Sequence, residues 1–378
     1  MTTVFSNAPD GARRRFLKSA AVASAVAAVP GLTLAQAADA ERQFAPQAGT
    51  WRTFDVTTRI DIAAAQGATR VWLPVPSVNS GWQQSLDSSF TSNGTATIVS
   101  DGRYGARILY AEFAADTAKP FVELTSRIQT QNRSQDWSKK NVPAESAQAL
   151  AQWTQGTHLI PVDGIVRDTA KKAVEGARTD VEKAQKLFDW IVQNTFREPK
   201  VRGCGEGDIA AMLETGNLGG KCADLNGLFV GLCRSVGLPA RDVYGLRIAP
   251  SAFGYKELGG IPAKLQGAQH CRAEVYLAGY GWVAMDPADV AKVMRQETTQ
   301  WIKDPKNPVV APVNKVLFGG WEGNWMAFNN AHDVVLPKSS GAALGFLMYP
   351  QAETAAGRLD PYAPDTFKYQ ISSKEIAA

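Results

Sequence analysis

Along this chain the spacing of apolar residues changes twice, from a period of two to a helical period and back to two. No single-class fold accommodates that order, so an α+β architecture is required. Alternation begins after a polar linker over 38–50 and recurs at 53–62, 69–76, 95–99, 106–113 and 121–129, with β-branched residues and Gly, Asn and Asp punctuation. This pattern predicts an antiparallel β-sandwich over 45–135. Helical spacing follows at 144–153, 165–174 and 180–194, where Ala184, Leu187, Phe188, Ile191 and Val192 form one stripe. The break Asn217-Leu218-Gly219-Gly220-Lys221 precedes a further helix that opens at Cys222 and carries Leu225, Leu228, Phe229, Leu232 and Val236. Gly237 and Pro239 stop it. Strands are expected next at 241–248, 270–277 and 282–285, making 140–295 a core of helices packed on an antiparallel sheet. The remainder, 296–378, reads as a β-rich extension with strands at 333–336, 343–349 and 367–371. These either complete the first sandwich or add a small β-layer.

The chain has 378 residues and a net charge of +4. Most of that surplus sits at the start, where Arg13, Arg14, Arg15 and Lys18 face Asp10 alone. The near-neutral body gives no electrostatic case for nucleic acid or anionic membrane as partner. Arg13-Arg14-Arg15-Phe16-Leu17-Lys18 resembles the twin-arginine export motif, and the small apolar run over 20–29 behind it is too short to span a bilayer. Ala35-Gln36-Ala37 fits a signal-peptidase site. The expectation is therefore a signal peptide over 1–37 and a periplasmic or otherwise exported protein. No other apolar run approaches the ~20 residues of a membrane helix, so none is expected in the mature form.

A protein folded before export folds in a reducing compartment, so disulfides cannot be a condition of its folding. Cys222 and Cys233 on one helix would stand about 16 Å apart, beyond the ~7 Å limit for a bridge. The state of Cys204, Cys233 and Cys271 stays open.

A thiol nucleophile needs a lowered pKa, a base, and donors for an oxyanion. Cys222 sits where a helix begins, so unsatisfied N–H groups and the positive dipole end favour its thiolate. Cys204, in a glycine-rich loop, and Cys233, late in the helix, lack that placement. Of the histidines, His158 and His332 lie in polar turns and read as surface residues, whereas His270 opens a strand. That strand turns back through Ala278-Gly279-Tyr280-Gly281 into Trp282 and on to Asp286. Parity then decides the geometry. A two-residue loop would set Asp286 opposite Ala273, on the wrong face. A three-residue loop sets it opposite Arg272, diagonal to His270 on the same face. Cys271 would point the other way as a core thiol.

Gly220-Lys221-Cys222-Ala223-Asp224-Leu225, the run Arg234-Ser235-Val236-Gly237-Leu238-Pro239-Ala240-Arg241, and His270 followed by Gly281-Trp282 and Asp286-Pro287 together resemble the transglutaminase-like (papain-like cysteine) superfamily over about 140–295. The resemblance implies a thiolate–imidazolium pair, Cys222 with His270, oriented by Asp286, which attacks an amide carbonyl to form an acyl-enzyme. It implies a protein or peptide substrate, with envelope or peptidoglycan peptides suggested by compartment alone. The alternative is a scaffold or binding protein that keeps the fold without turnover. Arg272 stands where the family often has an aromatic residue, which points to a more polar substrate-side wall. The side-chain oxyanion donor has no match. Asp224 reads as a helix cap, and Glu274 as a solvated strand residue or a hydrogen-bond partner of the site. The scattered histidines and thiols show no ligand spacing, so no metal or cofactor is expected.

Overall fold

The computed structural model describes residues 42–376 apart from 64 and 66, so the expected signal peptide lies outside the described residues. The sandwich strands are β1 (Arg52–Asp61), β2 (Thr69–Val75), β3 (Gln83–Ser92), β4 (Thr95–Ser100), β5 (Arg107–Phe113) and β6 (Phe121–Thr130). Buried and half-exposed residues alternate along β1 and β6, as the period of two demands. Their inward residues Ile60, Val122 and Leu124 meet Val71, Leu73, Leu109 and Ala111 of β2 and β5 in one apolar cluster, which is the sandwich core. β3 was not legible in the sequence. It is a polar strand paired with β6 from Gln83↔Thr130 to Ser92↔Val122, held by ladder hydrogen bonds at the edge of its sheet rather than by an apolar face.

The central region contains α1 (Gly164–Ala173), α2 (Asp180–Asn194) and α3 (Cys222–Ser235). Thr179 caps α2 by accepting from Glu182 N at 3.2 Å, and the whole expected stripe of α2 is buried. α3 departs from the amphipathic expectation: every residue from Cys222 to Arg234 is buried. A helix covered all round is a core element. Its polar residues survive burial because each has a partner; Arg234 Nε, for example, donates to Ala240 O at 2.7 Å. Gly231 lets Ile209 pack against the helix where a Cβ would overlap it.

Behind α3 lies a sheet of β7 (Ala240–Arg247), β8 (Gln269–Leu277), β9 (Gly281–Met285) and β10 (Trp325–Asn329), in the order β9-β8-β7-β10. All nine residues of β8 are buried. After β9 comes the short helix α4 (Pro287–Lys292). Of the C-terminal strands, His332–Val334 and Leu344–Phe346 pair with each other in a small two-stranded layer, and the longer ones join the sheets already described. β10 joins the central sheet, β11 (Gln351–Thr354) pairs with β2, and β12 (Lys368–Ile376) runs the length of β1 from Thr53↔Ile376 to Asp61↔Lys368. Among the described residues no helix is long and apolar enough to cross a membrane.

Candidate active site

α3 begins at Cys222 because the backbone is pinned there. Asp224 accepts from Lys221 N and from Gly207 N, each at 2.8 Å, closing the first turn and tying the glycine-rich loop to it. Gly205 is needed in that loop: its φ is +94°, and a Cβ would overlap the Asp224 carboxylate. Ala223 N–H donates to Cys204 O at 2.9 Å, so it is spent, while no backbone acceptor among the described residues takes the Cys222 N–H.

The hairpin of β8 and β9 pairs Leu277↔Gly281 through Ala273↔Met285, leaving Ala278, Gly279 and Tyr280 as a three-residue loop. Glycines with positive φ at 279 and 281 close it. One further step places Asp286 across from Arg272 and on the His270 face. His270 Nε2 and Asp286 Oδ2 are 2.7 Å apart, both buried. Asp286 also caps α4, its Oδ1 accepting from Asp289 N at 3.1 Å and from Asn226 Nδ2 at 3.0 Å. With Nε2 committed to Asp286, the ring nitrogen left for the sulfur is Nδ1.

Charges fix the protonation states. Burial and the Arg247 charge press His270 toward neutrality, but Asp289 and Asp286 outweigh them and raise it to about 9. Burial opposes ionisation of Cys222. Hydrogen bonds from Cys204, Cys271 and His270, with the His270 charge, nonetheless hold its thiol well below the usual range. Burial pushes Cys204 and Cys271 up, and their contact with the Cys222 sulfur pushes them further, so they are neutral donors around one thiolate. Burial also resists ionisation of Asp289, yet Arg247 Nη2, 2.6 Å from its Oδ1, and the His270 charge keep it ionised; burial and that neighbouring carboxylate raise Asp286.

Three groups escaped the sequence reading. Asp289 stands 3.3 Å from His270 Nε2. Asn226, one helical turn beyond Cys222, bonds both Asp286 and Cys271 O; its i+4 spacing was the available signal. Gln269 lines the cleft, buried, with neither amide atom partnered among the described residues.

Four expectations are corrected. Cys204 is not a loose loop thiol. It lies buried at the site, its sulfur 3.2 Å from Gln269 O and accepting from Tyr349 Oη at 3.0 Å. Arg272 forms no substrate wall: it is buried, stacked over Trp321 and Trp325 and 3.5 Å from Asp286, because its face of β8 turns inward. Trp325 from the same cluster donates to His270 O at 2.8 Å. Glu274 is not solvated but lies between Arg133 and Arg241. His332 is buried against Tyr104 and Tyr244, 3.6 Å from Asp242, because the turn after β10 faces the interior. His158 is exposed, as expected.

Cys222 and His270 open on a cavity of about 610 Å³. His270, Asp286 and Asp289 bring ligand-type atoms within 4.8 Å of one another. Arg247 and Arg272 already neutralise those carboxylates, however, so a metal ion there would meet two fixed cations. The arrangement can hold a thiolate beside an imidazolium.

A profile described as the Transglutaminase-like superfamily matches residues 167–287, which include Cys222, His270 and Asp286. The chain is 36% identical over 329 residues to an uncharacterized protein of Haemophilus influenzae, covering 82% of this chain and 88% of that one. A solved structure described as a candidate cysteine protease of Cytophaga hutchinsonii superposes with a TM-score of 0.50 at 15% identity, covering 87% of this chain and all of that one. At that identity the likeness concerns fold alone.

Proposed function

The chain belongs to the transglutaminase-like superfamily, and on that premise we propose that it is an exported cysteine-dependent acyl-transfer enzyme acting on amide or peptide bonds. One observation carries the reading: His270 is linked at 2.7 Å to Asp286, while the neighbouring Cys222 thiol is held well below its usual range. The Cys222 thiolate attacks the amide carbonyl carbon, forming a C–S bond as the oxygen takes negative charge. The Cys222 N–H and the unpartnered Gln269 amide are the donors proposed for that oxygen. Collapse breaks the C–N bond, and the departing amine takes the proton from the His270 imidazolium. The neutral ring then accepts a proton from water or a second amine as it attacks the thioester, and the thiolate leaves. Asp286 keeps the ring aligned throughout.

Hydrolysis or amine incorporation on a panel of small peptides and glutamine amides tests this, comparing wild type with Cys222→Ala. Turnover confined to the wild type is expected. Equal signals from both proteins would overturn the proposal and leave a scaffold.

A further inference from the structure

Besides the His270 imidazolium, five cationic side chains line the cleft and no carboxylate does: Arg197, Lys221, Arg247, Lys264 and Lys292. Two of them are answered from outside its wall. Arg247 pairs with Asp289 at 2.6 Å, and Lys292 lies 3.4 Å from Glu257. The other three have no carboxylate within ion-pair distance among the described residues. Arg197 bonds the neutral Gln296, its Nε donating to Oε1 at 2.9 Å. Lys221 precedes Cys222 directly, so a cation without a carboxylate at ion-pair distance among the described residues stands next to the nucleophile in the chain. Burial and the Arg197 charge lower the Lys221 ammonium by more than the Cys204 and Cys222 sulfurs and Asp224 raise it.

We propose that the enzyme recognises an acidic peptide, placing a substrate carboxylate within a residue or so of the scissile amide against Arg197, Lys221 and Lys264. The inference rests on the acyl-transfer reading for the identity of the bond cleaved. The charge of the cleft can be tested without turnover. A peptide is the fitting occupant because a cavity of about 610 Å³ admits a few residues, and the anions a peptide carries are carboxylates. A bound carboxylate supplies the charge the three side chains lack, and Arg197 offers it a bidentate fork. The same cations keep water-exposed positive charge near the thiolate, which reinforces its ionisation in the empty enzyme.

The test uses the full chain and two alkylating reagents of nearly equal size, anionic iodoacetate and neutral iodoacetamide. The ratio of their rates at Cys222 is expected to exceed that of free cysteine by about tenfold at low salt, and to fall toward it in 0.5 M salt. Lys264→Gln and Arg197→Gln should each lower the ratio severalfold. Lys264 is exposed, so that variant is expected to fold. A ratio equal to that of free cysteine, unmoved by both variants, would overturn the inference while leaving the acyl-transfer reading intact if both reagents still label rapidly. Slow labelling by both reagents would count against the reactive thiolate, yet the ratio would still report the charge of the cleft. Protection then identifies the anion. Alanyl-glutamate amide should shield Cys222 at a concentration about tenfold below alanyl-glutamine amide, as expected for loss of one charged contact. Equal shielding by the neutral peptide, or equal shielding by inorganic phosphate, would overturn carboxylate recognition.

Discussion

At His270 two carboxylates converge on one ring nitrogen, Asp286 at 2.7 Å and Asp289 at 3.3 Å, and the ring is raised to about 9. Because the folded value lies above the ordinary one near 6.5, the stabilisation from protonating His270 is complete below about pH 6.5 and is lost as pH rises through about 9. In the proposed mechanism the same proton serves the departing amine, so kcat/KM should stay level through neutrality and fall above about pH 9. A profile still level at pH 10 would contradict the assignment. Asp286→Asn removes the charge that orients the ring. A fall in kcat of about 10³-fold is expected, with the alkaline limb moved to lower pH. A variant that merely loses stability would leave that limb in place. Asp289→Asn should also lower His270, and in addition it strands the buried Arg247. Urea unfolding should show a loss of about 3–5 kcal/mol, and an unchanged midpoint would refute the pairing.

Among the elements, α3 and the β8–β9 hairpin set the site, one fixing where the sulfur starts and the other fixing which face the carboxylate takes. The glycine-rich loop around Asp224 supports the first of these. Gly205→Ala meets both a positive φ and the Asp224 carboxylate, whereas Gly237→Ala at the end of α3 meets a positive φ in open space. The second variant should cost about 1–2 kcal/mol and the first appreciably more, read from urea midpoints. Equal costs would show that the loop yields without disturbing Asp224. If the loop does hold the helix start, Gly205→Ala should also slow alkylation of Cys222.

Across the whole molecule, the last strand matters to the cleft as well as to the sandwich. β12 extends β1, and beyond that pairing Leu265 N donates to Ile371 O and Ser373 N to Pro262 O, both at 2.8 Å, anchoring the loop that bears Lys264. β10 supplies the fourth strand of the central sheet and the tryptophan that holds the His270 carbonyl. A fragment limited to 140–295 is therefore expected to lack cooperative unfolding and rapid Cys222 labelling. Circular dichroism and alkylation of that fragment test the point. A folded, reactive fragment would show that the flanking strands are dispensable.

Residues 222, 270 and 286 could be chosen from the chain alone because local rules place them. A glycine break starts the helix at Cys222, and the odd three-residue loop settles the face of Asp286 whatever the surroundings. Strands with one apolar face were equally legible, since burial on one side writes a period of two. What the chain does not write is contact between distant segments. β3 lacks the period because both its faces are largely polar, and Glu274, Arg272 and His332 look like surface residues until arginines, tryptophans and tyrosines from remote strands close over them. A buried polar side chain is tolerated only once its partner arrives, and that partner is supplied by the folded arrangement rather than by neighbours in sequence. The charge of the cleft has the same origin: its lysines and arginines come from five separate stretches of chain, and only their assembly leaves three of them without a carboxylate at ion-pair distance among the described residues.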